Sequence, residues 1–226
     1  MLSAADWAPI LLSLQVAAVA TAVALPLSVA TAWLLSRFRF PGKFLVEVLV
    51  TAPLVMPPLV TGYLLLLLLG KGGVVGRWLH EILGFQIAFT WVGAAVASGV
   101  LAFPLMVRAV QVSLESIDRR LEGASRTLGA GRWDTFFSIT LPLAAPGIAA
   151  GTLLGFARSL GEFGATIVLA GNIPGQTQTI PLAIYSAINV PGGENRAFLL
   201  LVVSIILSVG ALVVSHILSG RSRRRR

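Results

Sequence analysis

The sequence predicts an all-α integral membrane protein with five or six transmembrane helices. Of its 226 residues, 56% are hydrophobic and 12% are charged, and the mean hydropathy is +0.89. A soluble domain carries about 25% charged residues. Long apolar runs alternate with short polar segments, and about 20 apolar residues suffice for a helix to cross the hydrocarbon core. The net charge is +8, and the basic residues lie at the positions that membrane topology favours. This placement argues against nucleic-acid binding.

The first two apolar runs are the predicted first and second spans. Residues 8–35 form a run that is too long for the core of a signal peptide and follows no basic segment, so we expect it to be retained. Residues 45–69 hold Pro53, Pro57 and Pro58 near their middle. Prolines there interrupt the backbone hydrogen bonds, and lipid cannot satisfy the freed carbonyl groups. Pro57 and Pro58 are therefore candidates for a translocation path or gate, with a tolerated kink as the alternative.

A glycine-rich loop, 70–84, separates the second span from the third, which is predicted at 85–108. The loop contains a Gly-Lys pair, but Gly72 follows Lys71 where a phosphate loop requires serine or threonine, so we predict no nucleotide site. Three segments remain. The fourth apolar run, 141–170, is either one span or a broken one. The fifth apolar run is 197–218, and the basic tail is 219–226.

The distribution of basic residues predicts the orientation of the spans, because lysine and arginine are enriched in cytoplasmic loops. They cluster after the first span, in the loop between the third and fourth spans, and in the tail. We therefore expect that loop and the C-terminus to be cytoplasmic and the N-terminus to lie outside. The clustered residues are Arg37, Arg39, Lys43, Arg108, Arg119, Arg120, Arg126, Arg132, Arg221, Arg223, Arg224, Arg225 and Arg226.

The polar loop at 113–140 is predicted to contain an amphipathic helix, with apolar residues at three- and four-residue intervals along one stripe. Gly129 and Gly131 then end it, because glycine costs about 1 kcal/mol in a helix interior. Such a helix either lies on the lipid surface, packs against its own bundle or docks a partner. The stripe comprises Leu114, Ile117, Leu121, Ala124 and Leu128, and Trp133, Phe136, Phe137 and Ile139 follow.

Arg158 and Glu162 are the second candidate site, because residues four apart share a helix face. A lone charge in the hydrocarbon costs at least about 2.5 kcal/mol, so charged residues there face the interior and usually pair. The two form either a structural ion pair or part of a gate, flanked by Gly161 and Gly164. A second small-residue pattern predicts close helix packing, within the subunit or across a dimer: Gly147, Gly151 and Gly155.

Several classes of site are excluded or unsupported. The sequence has no cysteine, and its two histidines, His80 and His216, lie far apart, so we expect no metal site. No nucleophile, base and acid occur together, so we expect no enzymatic activity in this chain. The loop at 171–196 either dips back toward the membrane, caps a cavity or is an ordinary extracellular loop.

The central loop resembles the cytoplasmic signature of permease subunits of bacterial ABC importers, E-A-A-x3-G-x9-I-x-L-P. The second half matches at full spacing with Gly129, Ile139, Leu141 and Pro142. The first half departs, which puts a special role for the acidic residue in doubt. Gly123, Ala124 and Ser125 occupy the E-A-A positions, and Glu122 lies one residue early.

The segment 158–185, RSLGEFGATIVLAGNIPGQTQTIPLAIY, is similar to the corresponding segment of molybdate ABC transporter permeases. Sulfate permeases carry a similar stretch in longer chains, and tungstate permeases have a similar length. The resemblance covers nearly the whole chain. It implies a type I ABC importer permease in a bacterial or archaeal cytoplasmic membrane, with a cytoplasmic coupling helix between the third and fourth spans.

The resemblance also implies the partners. Two copies form a homodimer with one path, two cytoplasmic ATPase subunits bind ATP and Mg, and an extracytoplasmic binding protein delivers molybdate, so no cofactor is expected in this chain. The coupling residues it implies are Leu121, Glu122, Gly123, Ala124, Ser125, Arg126, Thr127, Leu128, Gly129, Trp133, Ile139, Leu141 and Pro142.

The alternatives are a tungstate or sulfate permease and, in a different class, a channel or secondary transporter that needs no ATPase. Proline-broken helices and intramembrane ion pairs occur in that class too. Within the path we expect polar side chains and backbone N–H groups to line the passage, with Arg158 as its basic candidate. A path must hold its ion weakly enough to release it.

Overall fold

The computed structural model describes the backbone of residues 4–223, and these residues fold into helices without a strand. The basic tail predicted at 219–226 lies outside the residues whose side chains are described. The helices are α1 Ala4–Arg37, α2 Lys43–Val55, α3 Pro58–Leu69, α4 Val74–Leu83, α5 Trp91–Glu115, α6 Arg119–Thr127, α7 Arg132–Thr135, a π-helical turn Phe136–Thr140, α8 Leu141–Leu160, α9 Gly164–Leu169, α10 Ile180–Ile188 and α11 Glu194–Arg223.

Three helical segments within the described residues are long and apolar enough to cross a membrane, namely Asp6–Arg37, Trp91–Glu115 and Arg132–Leu160. The bent pair Lys43–Val55 and Pro58–Leu69 would make a fourth span if it counts as one. This criterion rests on length and composition alone.

The central bundle consists of α1, α5 and α8, which pack around a core that includes Leu35, Val110 and Leu114. The glycine stripe of α8 lies against α5 within the same subunit. A Cβ at Gly155 would stand 2.5 Å from Met106 Sδ, and one at Gly151 would stand 3.2 Å from the Met106 carbonyl oxygen. A Cβ at Gly147 would collide with Ser113. The close approach of the two helices therefore requires glycine most strictly at Gly147, because Met106 is a flexible side chain at Gly155 and the contact at Gly151 is only slightly short.

The second predicted span is not one straight helix. Its two halves, α2 and α3, meet at an angle of 116°. The backbone is extended at Met56 and Pro57, with ψ angles of 144° and 135°. A residue that precedes proline is pushed out of the helical region, and Pro57 and Pro58 each follow such a residue. Two consecutive prolines therefore produce a corner where a single proline would produce a kink.

The fourth run is also broken, between the end of α8 at Leu160 and the start of α9 at Gly164. The short helix α9 packs closely on α3. A Cβ at Gly62 would stand 2.7 Å from Ala165 Cα, and one at Gly164 would stand 2.8 Å from Pro58 Cβ. The corner after α2 and the break after α8 therefore form one packed unit.

Two further expectations need correction, and a third is narrowed. The segment 70–84 is more than a loop, because α4 occupies Val74–Leu83. The third span is shifted along the chain, since α5 begins at Trp91, where Thr90 Oγ1 accepts a hydrogen bond from Gly93 N, and continues to Glu115. Of the three alternatives for the segment 171–196, the ordinary loop is disfavoured, because helix α10 within it buries Ile180 and Leu182.

The end of the bundle at which α1 begins is held by contacts between residues that are remote in sequence. Ile180 N donates a hydrogen bond to Ser13 Oγ at 2.7 Å, which joins α10 to α1. Arg196 Nε lies 2.7 Å from Asp6 Oδ1, which joins the start of α11 to the start of α1. The first helix therefore contacts both later helices at this end.

Candidate functional site

The helix α6 starts anew after α5 and does not continue it. Asp118 Oδ1 accepts a hydrogen bond from Arg120 N at 2.9 Å, which caps the new helix. Leu114 belongs to α5 and Ile117 to the connection, and both are buried. The prediction of a single apolar stripe from residue 114 to residue 128 is therefore wrong. A cap interrupts the helix between two segments whose apolar spacing happens to match.

The two faces of α6 line two different cavities. One face carries charge and borders a cavity of about 340 Å³ that Trp33, Arg37 and Arg132 also line. The other face is apolar and borders a shallow groove of about 590 Å³. The residues of α6 that face the charged cavity are Arg119, Glu122, Gly123 and Arg126. Those that line the apolar groove are Leu121, Ala124, Ser125 and, at the end of α6, Leu128.

The two halves of the signature meet in the apolar groove. Ile139 and Pro142 line it together with Ala124 and Ser125. Ser125 Oγ also lies 3.3 Å from Thr135 Oγ1, which joins α6 to α7. Of the other predicted residues, Thr127 bonds the Ala124 carbonyl within α6, and Leu141 is half-buried at the start of α8. The predicted coupling residues of the apolar face therefore lie together, although up to 21 positions separate them in sequence, whereas Glu122, Gly123 and Arg126 lie on the opposite face of α6.

Gly129 ends this region with a φ of +93°, in the left-handed region that favours glycine. A Cβ added there would meet no atom within 4 Å, so the conformation and not the available space calls for glycine. Leu128 beside it has 88% of its surface exposed. In the described chain no side chain covers Leu128, which is the arrangement expected of a surface that contacts another molecule.

Glu122 occupies a position that the sequence did not reveal. Its Oε1 accepts hydrogen bonds from Arg37 Nε at 3.0 Å and from Thr140 Oγ1 at 2.8 Å. The side chains of Arg37 and Glu122 are 9% and 13% exposed. No sequence signal singled out Glu122, because Glu115, Asp118 and Asp134 lie in the same polar region and 85 positions separate Glu122 from Arg37. Their proximity is a product of the tertiary fold.

An aromatic cluster supports the charged cavity from α1 and the segment after α6. The ring centroid of Trp33 lies 4.9 Å from that of Phe136 and 6.0 Å from that of Trp133. Trp133, which we expected among the coupling residues, is nonetheless 67% exposed. It therefore contributes both to this cluster and to the outer surface.

The second candidate site lies near the other end of α8. Arg158 Nη1 is 2.7 Å from Glu162 Oε2, and the two side chains are 31% and 2% exposed. Glu162 Oε1 also accepts a hydrogen bond from Ala165 N at 2.8 Å. Gly161 follows the last residue of α8, so the pair spans the break between α8 and α9. The ion pair thus stabilises the break, and Arg158 keeps an exposed part that can face water.

The structure does not bring the two candidate sites together. Leu141 and Arg158 are separated by 17 positions of one helix, or about 26 Å. Pro57 and Pro58 join the second site through the packing of Pro58 against Gly164. No cluster of three or more histidine, aspartate or glutamate residues that could hold a metal ion occurs in the described part of the chain. The molecule therefore presents two separate regions joined by one rigid helix.

Comparison with known proteins identifies the family. The family model described as "Binding-protein-dependent transport system inner membrane component" matches residues 24–225. The chain belongs to this family. It is 52% identical to the "Molybdenum transport system permease protein ModB" of Escherichia coli (strain K12) over 97% of this chain and 96% of that protein. It is 39% identical to the "Sulfate transport system permease protein CysT" of the same strain, over 78% of this chain and 64% of that protein.

A solved structure agrees on the fold of this transport-system component. The chain matches a protein in the crystal structure of a bacterial ABC transporter involved in the import of the acidic polysaccharide alginate, with a TM-score of 0.73 and 20% identity. The match covers 99% of this chain and 80% of the other. The chain is thus an all-helical permease of the type I ABC importer fold.

Proposed function

We propose that this chain is the membrane-spanning permease of an ATP-driven importer that carries molybdate across the cytoplasmic membrane by alternating access. One observation carries the choice of substrate, namely the 52% identity to a molybdenum transport permease over nearly the full length of both chains. The sulfate permease is less similar and shares a smaller part of its own length. Tungstate is the alternative substrate that the experiment below tests, because it is a tetrahedral dianion like molybdate.

In this proposal two copies of the chain form a dimer with one path, and an ATPase subunit docks on the α6 region of each copy. The exposed Leu121 and Leu128 and the apolar groove between the signature halves supply a docking surface. An extracytoplasmic binding protein delivers the anion to the opposite side. The loop containing α6 and the C-terminus are cytoplasmic, and the N-terminus lies outside.

Motion of α6 is transmitted through named contacts. Glu122 joins α6 to α1 through Arg37 and to the start of α8 through Thr140. A displacement of α6 by the ATPase therefore moves two spans together, and α8 carries Arg158 at its far end. ATP binding can shift the permease between its two conformations only if these conformations bind the ATPase with different affinities.

The gate in this proposal is the unit formed by α3 and α9 with the ion pair of Arg158 and Glu162. Because Glu162 is engaged by both Arg158 and Ala165 N, the pair presents little net charge to the passage. An anion would meet the half-exposed guanidinium of Arg158 without being held tightly. Weak binding of this kind is what rapid release requires.

The test uses the permease reconstituted in vesicles with its ATPase and binding protein. Molybdenum, tungsten and sulfur inside the vesicles are measured by elemental analysis after addition of each oxyanion with ATP, and a hydrolysis-deficient ATPase serves as the control. We expect molybdate uptake that requires hydrolysis. Uptake without the ATPase would support a channel or secondary transporter, and faster uptake of sulfate would contradict the substrate.

A further inference from the structure

The charged cavity beside α6 is rich in arginine, whereas the apolar groove proposed for ATPase docking is lined by none. Four arginines and a single carboxylate, Glu122, line about 340 Å³. The cavity lies on the face of α6 opposite the apolar groove. Its arginines are Arg37, Arg119, Arg126 and Arg132.

Most of this positive charge is not neutralised by the chain. Of the four arginines, Arg37 is paired with Glu122, whose Oε1 lies 3.0 Å from Arg37 Nη2. Arg119 Nη2 donates a hydrogen bond to the Ser36 carbonyl oxygen at 2.9 Å. This contact satisfies one donor of the guanidinium but does not neutralise its positive charge. Within the described residues, neither Arg126 nor Arg132 forms an ion pair. Planar guanidinium groups arranged in this way favour phosphate and similar oxyanions.

The cavity lies at the end of a spanning helix, because Arg37 is the last residue of α1, and in the proposed orientation this end is cytoplasmic. The aromatic rings of Trp33, Phe38 and Phe136 form part of its wall. Tryptophan beside basic residues at a helix end is typical of the membrane–water interface. An anion bound here would therefore lie at the depth of lipid headgroups.

An apolar groove of about 620 Å³ runs between α1, α2 and α5. Val46 and Leu49 of α2 line it, together with Val23 and Leu27 of α1 and Phe103 of α5. Val46 lies one helical turn beyond Lys43, where α2 begins. The groove therefore extends from near the cytoplasmic surface toward the middle of the membrane.

An exposed stripe of α1 connects the groove to the charged cavity. Val23, Leu27, Ala30 and Leu34 recur at intervals of four, three and four residues and are all exposed, so they form one line on the helix. Phe38 N donates to the Leu34 carbonyl at 3.1 Å, which continues the line to the wall of the cavity. From Leu27 to Arg37 the helix rises about 15 Å, half of a hydrocarbon core of about 30 Å.

We propose that this track binds one anionic phospholipid of the cytoplasmic leaflet. Its phosphate occupies the charged cavity, where it meets Arg126 and Arg132. One acyl chain follows Leu34 to the groove at Leu27. Three features assign the track to a lipid: the positive charge of the cavity, the apolar lining of the groove, and a distance between the two of about half a hydrocarbon core. A free anion would use only the first feature, and an apolar helix would use only the second.

The test measures lipid bound to the purified complex by native mass spectrometry, with phosphatidylglycerol and phosphatidylethanolamine offered at equal concentration. We expect phosphatidylglycerol to be retained preferentially. The double variant Arg126→Gln with Arg132→Gln should lower its retention about tenfold or more. Arg120→Gln is the matched control, because Arg120 is an exposed arginine of α6 that does not line the cavity. Leu49→Trp should lower retention by filling the groove.

Photocrosslinking provides a measurement that does not depend on a variant folding. Phosphatidylglycerol with a photoactivatable acyl chain should label groove residues of the unaltered complex. Equal retention of the two lipids, or unchanged retention in the arginine double variant, would overturn the proposal. Equally tight binding of glycerol phosphate would assign the cavity to a free anion. Absence of lipid label on the groove residues of the unaltered complex would show that no acyl chain occupies the groove and would also overturn the proposal.

Discussion

Glu122 Oε1 accepts a hydrogen bond from Arg37 Nε at 3.0 Å and another from Thr140 Oγ1 at 2.8 Å. One carboxylate oxygen thereby joins α6 to the end of α1 and to the start of α8. The contact is largely buried, and removing one partner of a buried ion pair leaves an uncompensated charge. The proposed coupling of the ATPase to the spans depends on this junction.

Replacing Glu122 with glutamine tests the junction. The amide keeps the shape but removes the charge that compensates Arg37, so we expect the free energy of unfolding to fall by about 1–3 kcal/mol. We also expect more ATP to be hydrolysed for each molybdate transported. Thermal unfolding and the ratio of hydrolysis to uptake measure the two effects.

Asp134→Asn is the matched control for Glu122→Gln. Asp134 is exposed and accepts a hydrogen bond from Ser138 in the same segment, so its loss should cost little. If the two variants lowered stability and coupling equally, the junction would have no special role.

Gly129→Ala tests the turn that ends α6. At a φ of +93° an alanine is strained by about 1–2 kcal/mol, although no atom lies near its Cβ. We expect the turn to change conformation and the affinity for the ATPase to fall about tenfold, measured by binding of the purified ATPase to the reconstituted permease. Gly131→Ala is the control, because Gly131 has a φ of −69° and equally open surroundings. Equal affinity in both variants would show that the left-handed turn is not needed for docking.

Gly62→Ala tests the packing of α3 on α9. The added Cβ would stand 2.7 Å from Ala165 Cα and 2.8 Å from its carbonyl oxygen, so the two helices must separate. Overpacking of this kind costs about 1–3 kcal/mol. We expect molybdate uptake to fall severalfold while ATP hydrolysis persists. Gly72→Ala, which meets no atom within 4 Å, should leave both unchanged, and normal uptake by Gly62→Ala would exclude the α3–α9 unit from the gate.

Arg158→Gln tests whether the guanidinium contacts the anion or only stabilises Glu162. The single variant leaves a buried carboxylate without its partner, so we expect reduced assembly and uptake. The double variant Arg158→Gln with Glu162→Gln removes both charges and should restore assembly, which size-exclusion chromatography measures. If Arg158 contacts molybdate, uptake stays low in the assembled double variant. Recovery of uptake together with assembly would make the pair purely structural.

The sequence by itself determined the class of the molecule and much of its local structure. Apolar runs and the near absence of internal charge require membrane helices, since unpaired polar groups are costly in lipid. The consecutive prolines at 57 and 58 and the glycine at 129 marked real interruptions, because their backbone preferences are local. The polar segment before Gly129 predicted a helix, and α6 lies there at Arg119–Thr127.

The tertiary structure decided which residues of different helices contact each other, which local sequence patterns do not specify. Leu114 and Leu121 share a spacing but not a helix, because Asp118 caps a new helix between them. Glu122 pairs with Arg37, which is 85 positions away in the sequence, and two glycines of α8 pack against Met106 of α5. Such pairings depend on how helices pack after they form, and helical periodicity specifies which face is apolar without specifying its partner.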